Sequence, residues 1–179
     1  MSKSKKKFNP LALGALVLAL GCAISYIVML CVCELVNITY TLTIFGVSTE
    51  TTTTFEAGVV LFGQTSESGE TIFSPAPMAL VSWILVLVGA VLVLGAGCCF
   101  KKPKFMKLLA CLGGVLLLVG GILSFFVPMN MCAANLENLE GSIGSLTFTG
   151  SPTTPLIVCD VLAIAGGLLG VCGAAMAEK

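Results

Sequence analysis

Two apolar runs, Met78–Gly97 and Leu108–Val127, are separated only by the segment CCFKKPKFMK at Cys98–Lys107. Each run has about the ~20 residues that a helix needs to cross a ~30 Å hydrocarbon core. A connection this short forces the two helices to be antiparallel neighbours. The four lysines of the connection, Lys101, Lys102, Lys104 and Lys107, then set the topology, because short lysine-rich loops stay cytoplasmic. Two further apolar runs, at 11–33 and 155–177, complete four spans. The expected organisation is a basic cytoplasmic lead at 1–10, spans at 11–33, 76–97, 108–127 and 155–177, the inner hairpin at 98–107, and outer segments at 34–75 and 128–154, with both chain ends inside.

Charge follows the same polarity. All nine lysines fall on the proposed inner side, and Glu34, Glu50, Glu56, Glu67, Glu70, Glu137 and Glu140 fall outside. Charged residues make up 10% of the chain, against about a quarter in soluble domains, and mean hydropathy is +1.07. The protein is thus expected in a plasma membrane as a multi-pass protein, and its use of lysine alone as basic residue favours a bacterial cell membrane. Histidine and arginine are absent, which removes the commonest general base and metal ligand and the bidentate anion clamp.

The outer segments carry strand signals. Val36, Ile38, Tyr40, Leu42 and Ile44 alternate with Asn37, Thr39, Thr41 and Thr43, the period of a half-buried strand. Gly46–Glu50 reads as a turn, Thr53–Phe62 as a second strand bent at Ala57-Gly58, Thr71–Phe73 as a third, and Ser145–Thr149 as a fourth in the same sheet. A helical turn is expected near 133–140. Asn37-Ile38-Thr39 matches a glycosylation pattern but stands too close to the first span for modification to be expected. The first span reads as uncleaved, since Leu11–Cys33 exceeds the 7–15 apolar residues of a signal core. Trp83, near the outer end of the second span, reads as an interfacial aromatic anchor.

Small residues mark helix contacts. Gly113-Gly114 and Gly120-Gly121 lie on the third span, and Ala163, Gly166, Gly167, Gly170, Gly173 and Ala174 recur on the fourth, a spacing that lets backbones approach in lipid. Asp160 borders that face, and an intramembrane carboxylate is a candidate functional polar site. It lies five residues beyond Pro155, roughly 7–8 Å deep at 1.5 Å per residue, so a structural or interfacial role is favoured over ion or proton movement. Met129, Met131 and Cys132 are soft atoms of the kind that bind Cu(I), but ordinary packing is the stronger reading. Of the nine cysteines, Cys33, Cys132 and Cys159 are candidates for one outer disulfide, of undetermined pairing. Cys98-Cys99 beside the lysines is a candidate acylation site. No C-x-x-C occurs, and no cofactor is expected.

A long outer loop with strands, a short inner hairpin and a shorter outer loop contributing a strand resemble the topology of claudins and their four-helix relatives. The claudin first loop carries a tryptophan pair and two cysteines; residues 34–75 contain neither Trp nor Cys, so no residue role transfers. The expected fold is a membrane all-α four-helix bundle with a small extracytoplasmic antiparallel sheet built by the two outer loops. The expected function is non-enzymatic, the outer β-domain contacting itself or a membrane-protein partner, with the lipid bilayer as solvent and no nucleic acid. The alternatives are a small transporter or channel component using Asp160, and then a membrane thiol oxidoreductase.

Overall fold

A computed structural model describes residues 10–98, 103–136, 139–140 and 144–176. In chain order the elements are α1 (Pro10–Val32), β1 (Glu34–Ile44), β2 (Val47–Glu56), α2 (Ala57–Phe62), β3 (Gln64–Thr65), β4 (Thr71–Phe73), α3 (Pro77–Cys98), α4 (Pro103–Ser124), α5 (Val127–Asn135), β5 (Leu139–Glu140), β6 (Gly144–Pro152) and α6 (Thr154–Met176). Helices α1, α3, α4 and α6 are each long and apolar enough to cross a membrane. The protein is a multi-pass, membrane-associated bundle of apolar helices with a small antiparallel sheet at one end.

The four long helices pack as a ring in which α4 lies between α3 and α6, and α1 closes against α6 and α3. The glycine pairs of α4 explain its place. Gly113 and Gly120 face α3, while Gly114 and Gly121 face α6. Adjacent residues on a helix point about 100° apart, and a seven-residue step is close to two turns, so the two pairs generate two parallel small-residue stripes. Each stripe admits a neighbouring backbone: a Cβ on Gly113 would stand 2.7 Å from the Gly89 carbonyl oxygen of α3, and one on Gly114 2.8 Å from that of Gly167 in α6.

The main sheet has the order β2-β1-β6-β5, with antiparallel neighbours throughout. Strand β6 inserts beside β1 from a sequence distance of about a hundred residues, pairing Val36 with Pro152 and Ile44 with Gly144. Val36 and Ile38 bury their side chains at the helix-proximal end. There α5 lies against β6 so closely that Gly150 meets the Pro128 carbonyl.

Several local expectations are corrected. The β1–β2 turn is the dipeptide Phe45-Gly46, not Gly46–Glu50. Residues 57–62 form the helix α2 rather than the end of a strand. Ala57, Val60 and Leu61 are its buried side, which is the i, i+3, i+4 spacing of a helix face. Thr71–Phe73 does not join the main sheet but pairs with Gln64–Thr65 in a separate ribbon. The short helix of the second connection spans Val127–Asn135, opened by Pro128 in its first turn, rather than 133–140. Trp83 is not an interfacial anchor: it is 4% exposed and stacks edge-on against Tyr26 with ring centroids 5.1 Å apart.

Candidate functional site

Strand alternation divides the main sheet into two unlike faces. On one lie Val36, Ile38, Tyr40, Leu42 and Ile44 of β1, opposite Gly150, Phe148 and Leu146 of β6 and Thr53, Thr51, Thr49 and Val47 of β2. On the other, every position beyond the buried Leu35 is polar: Asn37, Thr39, Thr41 and Thr43 align with Thr54, Thr52, Glu50 and Ser48 and with Ser151, Thr149, Thr147 and Ser145. The hydroxyls pair across strands, Thr39 with Thr52 at 3.0 Å and Thr43 with Ser48 at 2.9 Å. Asn37 sits within this face with its Oδ1 buried and unpartnered.

The apolar face is covered only at its base. Moving away from the helices, Val36 and Ile38 are buried, Tyr40 is half-buried against the Phe148 ring, and Leu42, Ile44 and Val47 are exposed. At the tip Phe45 is 85% exposed and adopts φ +51°, followed by Gly46 at +81°. Positive φ at both turn positions is the two-residue hairpin geometry that favours Asn-Gly, and a bulky residue there is a genuine backbone outlier. Such strain, where it persists, points towards function. The apolar ring is held out into solvent where a polar turn residue would be more stable.

The long edge of the sheet is open. Strand β2 has β1 on one side only, and its residues from Val47 to Thr54 are all exposed. Ile44 and Val47 close the turn as the first hydrogen-bonded pair, and such pairs alternate along an antiparallel ladder. The N–H and C=O groups of Val47, Thr49, Thr51 and Thr53 are therefore directed at β1, while those of Ser48, Glu50, Thr52 and Thr54 are directed outward. No lysine or proline interrupts this edge, the usual safeguards against pairing with another chain. Among the described residues the opposite edge is the two-residue β5, paired with Ser145 and Leu146 of β6.

A second constellation lies inside the bundle at the sheet-bearing end. Each long helix supplies one residue: Tyr26 from α1, Trp83 from α3, Ser124 from α4 and Asp160 from α6. Tyr26 Oη donates to Asp160 Oδ1 at 2.6 Å. Asp160 and Ser124 are fully buried; Asp160 Oδ2 and Ser124 Oγ have no hydrogen-bond partner, although the Ser124 hydroxyl stands close enough to act on the carboxylate. Tyr26, the central group, was not singled out from the sequence. Its signal was depth: Tyr26 is six residues from the end of α1, and Trp83 and Asp160 are each six from the start of their helices.

The other sequence candidates separate. Met129 is exposed whereas Met131 is fully buried, because residues two apart on α5 face opposite sides of a helix. Among the described residues no group of three His, Cys, Asp or Glu side chains could hold a metal. Cys33, Cys132 and Cys159 are thiols. Cys132 lies under Gly150, and burial pushes its thiol up from the ordinary range. On α6 the small residues form two stripes rather than one, since Gly166 and Gly173 face α1 while Gly167 and Gly170 face α4. Ala163 is buried and Ala174 half-buried. Lys104 is exposed and Lys107 half-buried in the first turns of α4; Lys101, Lys102, Cys99 and residues 1–9 lie outside the described residues. No protein-family model matches the chain, and no curated protein is significantly similar to it.

Proposed function

We propose that the protein is a non-enzymatic plasma-membrane component whose sheet lies outside the cell and makes its working contact with itself or with another membrane protein. The lysine asymmetry supports the orientation, with both termini and the α3–α4 connection cytoplasmic. The observation that carries the contact reading is Phe45. A phenylalanine held with positive φ at an exposed hairpin tip costs stability and gains nothing inside the protein, so its benefit lies in what it touches elsewhere. Leu42, Ile44 and Val47 extend the same apolar surface.

Two measurements test the reading. A cysteine at Ser68 should react with an impermeant thiol reagent on intact cells, and one at Lys104 should not; labelling at position 104 alone overturns the orientation. A photoreactive phenylalanine analogue at position 45 should form protein adducts in intact membranes. Adducts to lipid alone, or to solvent alone, overturn the contact reading.

The unpartnered Asp160 Oδ2 supports a second reading, a transporter or channel component that moves protons or small cations past α6. Asp160→Asn in proteoliposomes should then abolish proton or potassium flux without altering assembly; unchanged flux dismisses it.

A further inference from the structure

The open β2 edge has a symmetry of its own. The residues that direct N–H and C=O outward are Ser48, Glu50, Thr52 and Thr54, and they are centred on Thr51. Beyond them Phe55 is buried against the Phe73 ring, centroids 5.0 Å apart, and before them the strand turns at Gly46. The accessible stretch is therefore its own complement under a two-fold rotation about Thr51.

We infer that β2 pairs antiparallel with β2 of a second copy about Thr51, joining the two four-stranded sheets into one. This rests on the contact reading above and specifies its partner. In this register Ser48 opposes Thr54 of the second copy and Glu50 opposes its Thr52. All four outward residues on each chain are used, for about eight inter-chain hydrogen bonds at two per bonded pair. Sliding the register by two residues towards the tip loses one pair and sets Glu50 against Glu50, and like charges directly opposite are destabilising. Sliding it the other way also loses a pair. The two-fold register thus makes the most bonds while keeping the glutamates diagonal.

The same register accounts for the tip. It brings Phe45 of one copy level with Ala57 of the other, at the start of α2, whose Phe62 is 70% exposed. The axis is perpendicular to the sheet, so hydroxyl face continues into hydroxyl face and apolar face into apolar face. The exposed apolar end of each hairpin then lies beside the helix-covered end of its mate. A second copy supplies both the missing strand and the missing apolar neighbour.

Proline at Thr52 is the sharpest perturbation. Its N–H points away from β1, where an edge strand tolerates proline, so the monomer fold survives and the inter-chain bond is lost. By native mass spectrometry of the full chain in detergent, the wild type should be dimeric. Thr52→Pro should dissociate roughly tenfold or more readily than Thr52→Val, which loses the same hydroxyl bond to Thr39 but keeps the N–H, two symmetric inter-chain bonds being removed. In a cysteine-free background that retains the wild-type oligomer, Thr51→Cys should form a disulfide-linked dimer on oxidation. Thr49→Cys and Thr53→Cys alone should not, and the two together should. A dimer indifferent to Thr52→Pro, or Thr49→Cys linking as readily as Thr51→Cys (the mark of parallel pairing), overturns the inference. So does a strictly monomeric wild type. Protein adducts from position 45 that persist in any of these cases and contain a different chain show that the contact reading stands while the self-pairing fails.

Discussion

Replacing Gly167 by alanine tests whether backbone-to-backbone approach holds this bundle together. An added Cβ would lie 2.6 Å from the Gly114 carbonyl oxygen and 2.7 Å from Leu118 Cγ. The nearest obstacle is backbone, so α4 and α6 must separate by about 0.8 Å to reach ordinary contact at 3.4 Å. A gap of ~0.5–1 Å forfeits a quarter to a half of each van der Waals well. For an interface with contacts comparable to one buried leucine, ~40–60 pairs at ~0.1–0.2 kcal/mol, the loss is about 1–6 kcal/mol. Alanine recovers about 0.5–1 kcal/mol through its better helix propensity, so the net lies within about 0–5.5 kcal/mol, and the ~1–3 kcal/mol usual for overpacking is the expected destabilisation. The control is Gly21→Ala, where nothing lies within 4 Å of the added carbon; it should be neutral or stabilising by up to about 1 kcal/mol. Reversible unfolding in mixed dodecylmaltoside–SDS micelles measures both. Equal stability of the two variants would refute close glycine contact as the basis of the α4–α6 interface.

Tyr26→Phe should destabilise by about 1–3 kcal/mol, because it removes the hydroxyl that donates to a buried carboxylate while keeping the ring against Trp83; in a double-mutant cycle with Asp160→Leu the losses should fall well short of additive. Phe45→Asn should raise stability by about 1 kcal/mol in the same micelle assay and abolish the contact read at position 45, whereas a loss of stability would show that the ring supports the fold. Asn135→Ala removes the side chain that accepts from Ser74 N–H at 2.6 Å and donates to Ser74 and Met131 carbonyls at 3.1 Å each, so limited proteolysis within residues 66–74 should accelerate. Burial raises the Cys132 pKa, so at pH 8 less of it is thiolate than of a cysteine placed at exposed Ser68, and its alkylation should be markedly slower.

Legibility in the sequence tracked the range of the interactions. The four apolar helices and the β1 alternation are local patterns and stood out at once. The glycine pairs of α4 were visible, but Gly89, which receives Gly113, carried no sign of its role because a partner is chosen by the fold. Helix α2 was misread because Val59-Val60 looks β-prone and six residues are too few to display a helical period. Trp83 was misplaced because a tryptophan near a span's end ordinarily marks the lipid interface, and its partner inside the bundle, Tyr26, comes from another helix. Of the candidate site, the unguarded threonine run was readable. The strained Phe45 was not, because the turn's position depends on the β1–β2 register and a bulky residue there departs from the Asn-Gly pattern of such turns.

The pairing of early with late segments has a bearing on biogenesis. Tyr26 and Asp160 are 134 residues apart, and at ~5–20 residues per second the tyrosine is made roughly 7–27 s before its acceptor. Over much of the same interval β1 has β2 beside it but no β6, so its other edge and its apolar side await coverage. A nascent chain paused in that state presents an unpaired hydroxyl in the bilayer and an incomplete sheet beyond it. The arrival of α6 removes them together, because the strand that completes the sheet leads through Thr153, whose hydroxyl donates to the Glu34 carbonyl at 2.7 Å, directly into the helix that carries the carboxylate.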